Sequence, residues 1–139
     1  MTDARPETDA DALRGAYDAL NRGDLSQVLG LIAPDIDWHD QATTPDGPSR
    51  GRESFEQYLY SWLESFAEFR VDPEEVFEHG EHLIAIVRQT GRGRISGAEI
   101  AVWIAHVWTI EHHRAIRWRS YPNRQQAIAA QDKAEKPPF

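Results

Sequence analysis

One histidine stands alone on an otherwise apolar strand. Between Ala98 and Tyr121 two strand-like runs flank the polar turn Glu111-His112-His113-Arg114. Along the first run Ile100, Val102, Ile104, His106, Trp108 and Ile110 share one face, and Ala101, Trp103, Ala105 and Val107 share the other. His106 is the single polar group on its face. A neutral imidazole there could donate a hydrogen bond, or act as acid or base near pH 7. The alternative is a core histidine satisfied by a neighbour's backbone or by Tyr58, because an unpaired buried polar group costs about 1–3 kcal/mol. Asp40 follows the short strand Ile36–His39 and opens a loop running to Arg50. It is either a carboxylate available as a base or a turn residue capping that loop with Thr43 or Thr44.

Other groupings carry less. His79-x-x-His82 spans a glycine turn and lacks a third ligand, so no metal site is expected. Gly91-x-Gly93-x-x-x-Gly97 is neither a dinucleotide fingerprint nor a phosphate loop, since no Lys-Ser/Thr follows and no helix opens there.

The elements that must position these residues follow from periodicity. Residues 1–8 are expected to be disordered up to a cap near Thr8, and 132–139 to form a loose tail, leaving one domain over 9–131. Leu13, Ala16, Tyr17 and Leu20 mark a first helix that ends at Gly23. Leu25, Val28, Leu29 and Ile32 mark a short second helix stopped by Pro34. A third, from about Glu53 to Phe66, carries the broad stripe Phe55, Tyr58, Leu59, Trp62, Leu63 and Phe66. Strands are expected at Phe69–Phe77, broken or edged at Pro73, and at His82–Thr90, and a last helix after Pro122 with Asn123 as N-cap. A strand apolar on both faces has to be covered on both sides. Three helices followed by a mainly antiparallel sheet and a terminal helix indicate an α+β fold, with a curved sheet wrapped around the third helix.

At 139 residues the chain can bury one real core, and its five Trp, four Tyr and five Phe make that core aromatic. The same rings could wall a site for a flat apolar ligand. The net charge of −8 argues against nucleic acid and against anionic membrane surfaces. Cysteine is absent, which excludes disulfides and thiolate chemistry. The N-terminus lacks a signal-type apolar core and no run approaches transmembrane length, so the cytoplasm is the default location.

The motifs, taken in order, resemble the SnoaL-like branch of the nuclear-transport-factor-two-like superfamily, which includes ketosteroid isomerase. They are Ala19-Leu20-Asn21-Arg22-Gly23-Asp24, Ala33-Pro34-Asp35 with Trp38-His39-Asp40, Arg50-Gly51-Arg52-Glu53, Gly91–Gly97, Ala105-His106-Val107-Trp108-Thr109 and the Ile116–Tyr121 strand. The resemblance implies a conical cup of N-terminal helices on a curved sheet, closed around a dead-end pocket, with the outer sheet face pairing in a homodimer. It puts Ala101, Trp103, Ala105 and Val107 against the second subunit. It also implies a small cyclic or apolar ligand, no cofactor, and either an isomerase or polyketide-cyclase type of activity or a non-catalytic ligand-binding or dimerisation domain. By the same resemblance Asp40 matches the general base, and Tyr17 falls one residue off the register of an oxyanion-binding tyrosine. His106 replaces a protonated aspartic acid that donates to the same oxyanion, a departure that weighs against steroid isomerisation. Trp38, Tyr58, Trp62, Ile86 and Trp108 are the expected pocket walls. Epoxide hydrolysis, as in the limonene-epoxide-hydrolase branch, is not expected, because Arg88 has no inward aspartate beside it. At His112-His113 the family usually carries Asp-Gly, and the substitution is expected to change the turn type.

Overall fold

Thr8 opens the first helix with a reciprocal cap. Its hydroxyl accepts from the Asp11 backbone, and the Asp11 carboxylate accepts from the Thr8 backbone. The computed structural model describes residues 8–40 and 47–135; the expectations for residues 1–7, for 136–139 and for a Thr43 or Thr44 cap lie outside them. Helix α1 (Asp9–Asn21) buries Leu13, Tyr17 and Leu20 at helical spacing and turns at Gly23, where φ is +79°. Then follow α2 (Leu25–Leu29), β1 (Ile32–Asp40), β2 (Ser49–Arg50), α3 (Arg52–Ser65), β3 (Phe66–His79), β4 (His82–Gly93), β5 (Glu99–Glu111), β6 (Arg114–Tyr121) and α4 (Arg124–Glu135). The strands form one curved, open sheet in the order β2-β1-β6-β5-β4-β3, antiparallel except where β1 runs parallel to β6. The fold is α+β, as expected. No helix among the described residues is long and apolar enough to cross a membrane.

The strands are longer than their local pattern suggests, because pairing partners extend them. Ile32, expected in the second helix, pairs with Ala115 and starts β1, whose register shifts across the Pro34 segment before Asp37 meets Arg117. The last helix reaches Glu135, four residues into the expected tail. Its start is as read: the Asn123 side chain accepts from the Gln126 backbone at 2.9 Å.

The two faces of the sheet have different covers. On the inner face Leu83, Ala85, Val87, Trp108, Trp118 and Trp38 pack with α1, α2 and α3. On the outer face Ile84, Ala105, Val107 and Tyr121 pack against Ala127 and Ile128 of α4. This corrects the expectation for that face. Ala105 and Val107 are already covered by the chain's own last helix, and of the four residues assigned to a second subunit only Ala101 and Trp103 are exposed, Trp103 by 55%.

The β5–β6 hairpin also departs from expectation. Glu111 pairs with Arg114, and both intervening histidines are left-handed, at φ 52° for His112 and 65° for His113. Two positive φ values in a two-residue loop are what a type I′ turn demands, so the turn type survives and the strain falls on two Cβ-bearing residues. Replacing His112-His113 by Asn-Gly is predicted to stabilise the protein by about 1 kcal/mol, because the relieved strain exceeds the exposed His113–Asp9 contact at 3.3 Å that is lost. Thermal unfolding of the double variant reads this as a rise of a few degrees; a fall would mean that the pair does more than turn the chain.

Candidate functional site

Strand register puts the polar groups in a line. Asp40 pairs with Ser120, Ser120 with His106, and His106 with Ala85, so a row running from β1 through β6 and β5 to β4 presents a carboxylate, a hydroxyl and an imidazole on the inner face. All three are over 90% buried. Paired residues share a face, and neighbouring strands lie about 4.8 Å apart, so Asp40 and His106 flank Ser120 with Cα atoms about 10 Å apart.

Helix α1 reaches down onto this row with Tyr17. The indole Nε1–H of Trp108 donates to the Tyr17 oxygen at 3.0 Å, and that oxygen lies 2.8 Å from His106 Nδ1. An indole can only donate, so Tyr17 accepts from Trp108 and has one proton left to give. Giving it to Nδ1 satisfies all three groups, and this leaves the imidazole proton on Nε2. Burial lowers the His106 pKa from 6.5 to about 4, against the opposing pull of the Asp40 charge, so the ring is neutral near pH 7. Burial likewise pushes the Tyr17 hydroxyl above its ordinary value, only partly offset by the Trp108 hydrogen bond, so it keeps its proton. Trp118 stands edge-on to the imidazole at 5.1 Å. At the other end of the row the Tyr58 hydroxyl donates to Asp40 Oδ2.

Two adjacent spaces open above the row. The inner one, about 50 Å³, is lined by Tyr17, Tyr58, Trp62, His106, Trp108 and Trp118 among others. A water needs roughly 10–15 Å³ measured this way, so it holds a few waters or a single small functional group, not a ring. The outer groove, about 550 Å³, is lined by Asp40, Ser120, Phe66, Ile104, Tyr121 and others, and it falls within the usual size of small-molecule sites, about 300–1,000 Å³. Trp62 and Gln89 line both.

Five of the eight residues expected from sequence therefore line the inner space: Tyr17, Tyr58, Trp62, His106 and Trp108. Asp40 lines the groove outside it. Trp38 does not wall the site; it packs behind Tyr58 and Phe55 at ring distances of 4.8 and 5.6 Å and donates from Nε1 to Ser54 Oγ at 3.0 Å. Ile86 does not wall it either. It pairs with Ala105 on the outer face, one residue out of phase with the inward Ala85 and Val87. Gln89, Ser120 and Trp118 were missed. Gln89 and Ser120 each lie two residues on from an inward residue, Val87 and Trp118, so strict alternation would have found them. Trp118 follows a register irregularity in β6, with Ala115 and Trp118 both in the inner core, and alternation does not reach it. Among the described residues no group of three or more His, Asp or Glu could hold a metal ion; His79 instead pairs with Asp132 at 2.7 Å and His82 Nδ1 with Thr109 Oγ1 at 2.9 Å.

The SnoaL-like domain family matches residues 13–118, and the chain belongs to that family. No curated protein matches it. Similar solved structures include an NTF2-like protein of unknown function from Burkholderia pseudomallei (24% identity, 87% of this chain and 95% of that one, TM-score 0.73). TerC co-crystallised with polyporic acid is similar over 92% of this chain and 98% of that one (17% identity, TM-score 0.71). So is a ketosteroid-isomerase-like fold from Catenulispora acidiphila in complex with trimethylamine, over 94% and 100% (17% identity, TM-score 0.71). At these identities the likeness establishes the fold.

The buried neutral imidazole makes a prediction about acid stability. Between pH 6.5 and about 4 the unfolded chain binds a proton at His106 that the folded chain refuses, so folding stability is complete above 6.5 and is lost as the pH falls towards 4. The loss over that window is about 3 kcal/mol. Urea unfolding of wild type and His106→Gln at about pH 7 and about pH 4 should show a smaller acid loss in the variant by that order. Parallel losses would mean that the ring is charged in the folded state.

Proposed function

We propose that this SnoaL-like protein binds a cyclic, mostly apolar ketone and moves a proton next to its carbonyl, without a cofactor. The observation that carries the reading is the row Asp40–Ser120–His106, a carboxylate and a neutral imidazole facing one apolar site from either side of a small residue. The ring would lie in the outer groove, and its carbonyl oxygen would enter the inner space, which has room for that oxygen. Asp40 would take the proton from the adjacent carbon. The electron pair released would move onto the carbonyl oxygen, and the enolate oxygen would accept the Nε2–H of His106. Return of the proton from Asp40 to another carbon gives an isomer; attack of the enolate carbon on a second carbonyl closes a ring, and the alkoxide so formed takes the proton back from Asp40. No electrons leave the substrate in either case. Tyr17 acts through His106, fixing its tautomer, and is a positioning residue.

A second reading, ligand binding without turnover, is favoured by one contact. The Tyr58 hydroxyl donates to Asp40, a bond the carboxylate would have to share with its substrate. Under either reading the exposed strip carrying Ala101 and Trp103 is the surface we assign to a second copy of the chain, beside the part of the outer face that α4 covers.

Exchange of carbonyl-adjacent protons in D2O, followed by NMR over a panel of steroid enones, anthraquinone-type polyketides and terpenoid ketones, tests the first reading without knowledge of the product. Wild type is expected to accelerate exchange in at least one compound. Asp40→Asn should slow it by about 100-fold or more while leaving the ligand-induced thermal shift in place. Binding with no exchange in wild type would favour the second reading.

A further inference from the structure

Gln89 is a strongly buried side chain whose amide faces the site and has no protein partner among the described residues. It is 7% exposed, lies on the inward face of β4 between Val71 and Val102, and lines both the inner space and the outer groove. Neither its amide NH2 nor its carbonyl oxygen meets a hydrogen-bonding partner among the described residues. The side chain is mostly buried while its amide opens onto the two spaces, where a ligand or ordered water can pair with it. A purely structural residue at this position would be apolar like Ala85 and Val87 before it.

We propose that Gln89 is a specificity-determining residue that reads a second oxygen function, remote from the reacting carbonyl, on an elongated neutral ligand. The distance follows from register. His106 pairs with Ala85, four residues before Gln89 on the same strand, so the two polar positions lie about 13 Å apart along the sheet. A single ring cannot touch both; two or more linked or fused rings can. Charge narrows the class further. Among the described residues the lining of the two spaces includes Asp40 and no Lys or Arg, so an anionic group would be left without a counter-charge beside a carboxylate. A hydroxyl or keto oxygen is what an amide can pair with neutrally, since it offers both donors and an acceptor. The inference deepens the ketone reading above and rests on it for the position of the carbonyl.

The test is a matched pair of neutral probes, para-linked hydroxyphenyl-cyclohexanone and phenylcyclohexanone, which differ only in the far hydroxyl. Titration by calorimetry needs no turnover. Wild type is expected to bind the hydroxylated ketone about tenfold more tightly, and Gln89→Met should bring the ratio to about one. Gln89→Leu serves as a second variant of the same design. Equal affinities in wild type, a preference that survives both substitutions, or failure of both ketones to bind would overturn the proposal. If the preference holds and no proton exchange occurs, only the base assigned to Asp40 fails. If exchange depends on Asp40 and the preference is absent, only the role of Gln89 fails.

Discussion

Trp108 donates to Tyr17 and Tyr17 donates to His106, and on that chain of two hydrogen bonds the chemistry of the site depends. An imidazole buried among tryptophans would be expensive without a partner, and a charged one more so. The relay removes the first cost by satisfying Nδ1, and burial removes the second by keeping the ring neutral. Trp108 can only donate, and the direction assigned to the relay has Tyr17 give its proton to Nδ1. The proton of His106 is therefore left on Nε2, and this nitrogen has no protein partner among the described residues. The same bonds tie α1 to β5, residues far apart in sequence, so the tautomer and the docking of the first helix are one property.

The rest of the site follows from how the sheet is paired. The parallel register of β1 on β6 carries Asp40 into line with Ser120, and the antiparallel register of β6 on β5 carries Ser120 into line with His106. Helix α3 then lays Phe55, Tyr58 and Trp62 over the line, in ring contacts of 4.8 to 6.4 Å with Trp38, Trp108, Trp118 and one another. Such packing shrinks the inner space to the size of a functional group and leaves the volume for a ring in the groove outside. The site is thus two-part: a tight polar end selected by hydrogen bonding, and a wide apolar mouth selected by shape.

Much of this was legible in the sequence, and the parts that were not have physical reasons. His106 announced itself because one polar residue interrupted a face of isoleucine, valine and tryptophan. The helical phase of α1 placed Tyr17 inward for the same reason. Ile86 misled because Leu83, Ile84, Ala85, Ile86 and Val87 are apolar on both faces, so alternation alone does not say which phase looks into the site. Trp38 does share the inward face, but the side chains of α3 cover it, and coverage by a distant element leaves no mark on a local pattern. The same holds for the length of β1, set by the pairing of Ile32 with Ala115, and for α4, whose seat on the outer face displaced part of the expected subunit contact. Gln89 went unread because a polar residue near the end of a strand looks like a solvated one until neighbouring strands bury it.

The chemistry of the site turns on the protonation state of one ring, which nitrogen NMR of the His106 imidazole near pH 7 reads out. A neutral ring protonated on Nε2 is expected, with Nδ1 shifted as the acceptor of a hydrogen bond from Tyr17, and a change in that Nδ1 signal in Tyr17→Phe. A ring protonated on Nδ1, or an imidazolium at that pH, would reverse the direction of the relay and remove the donor from the site.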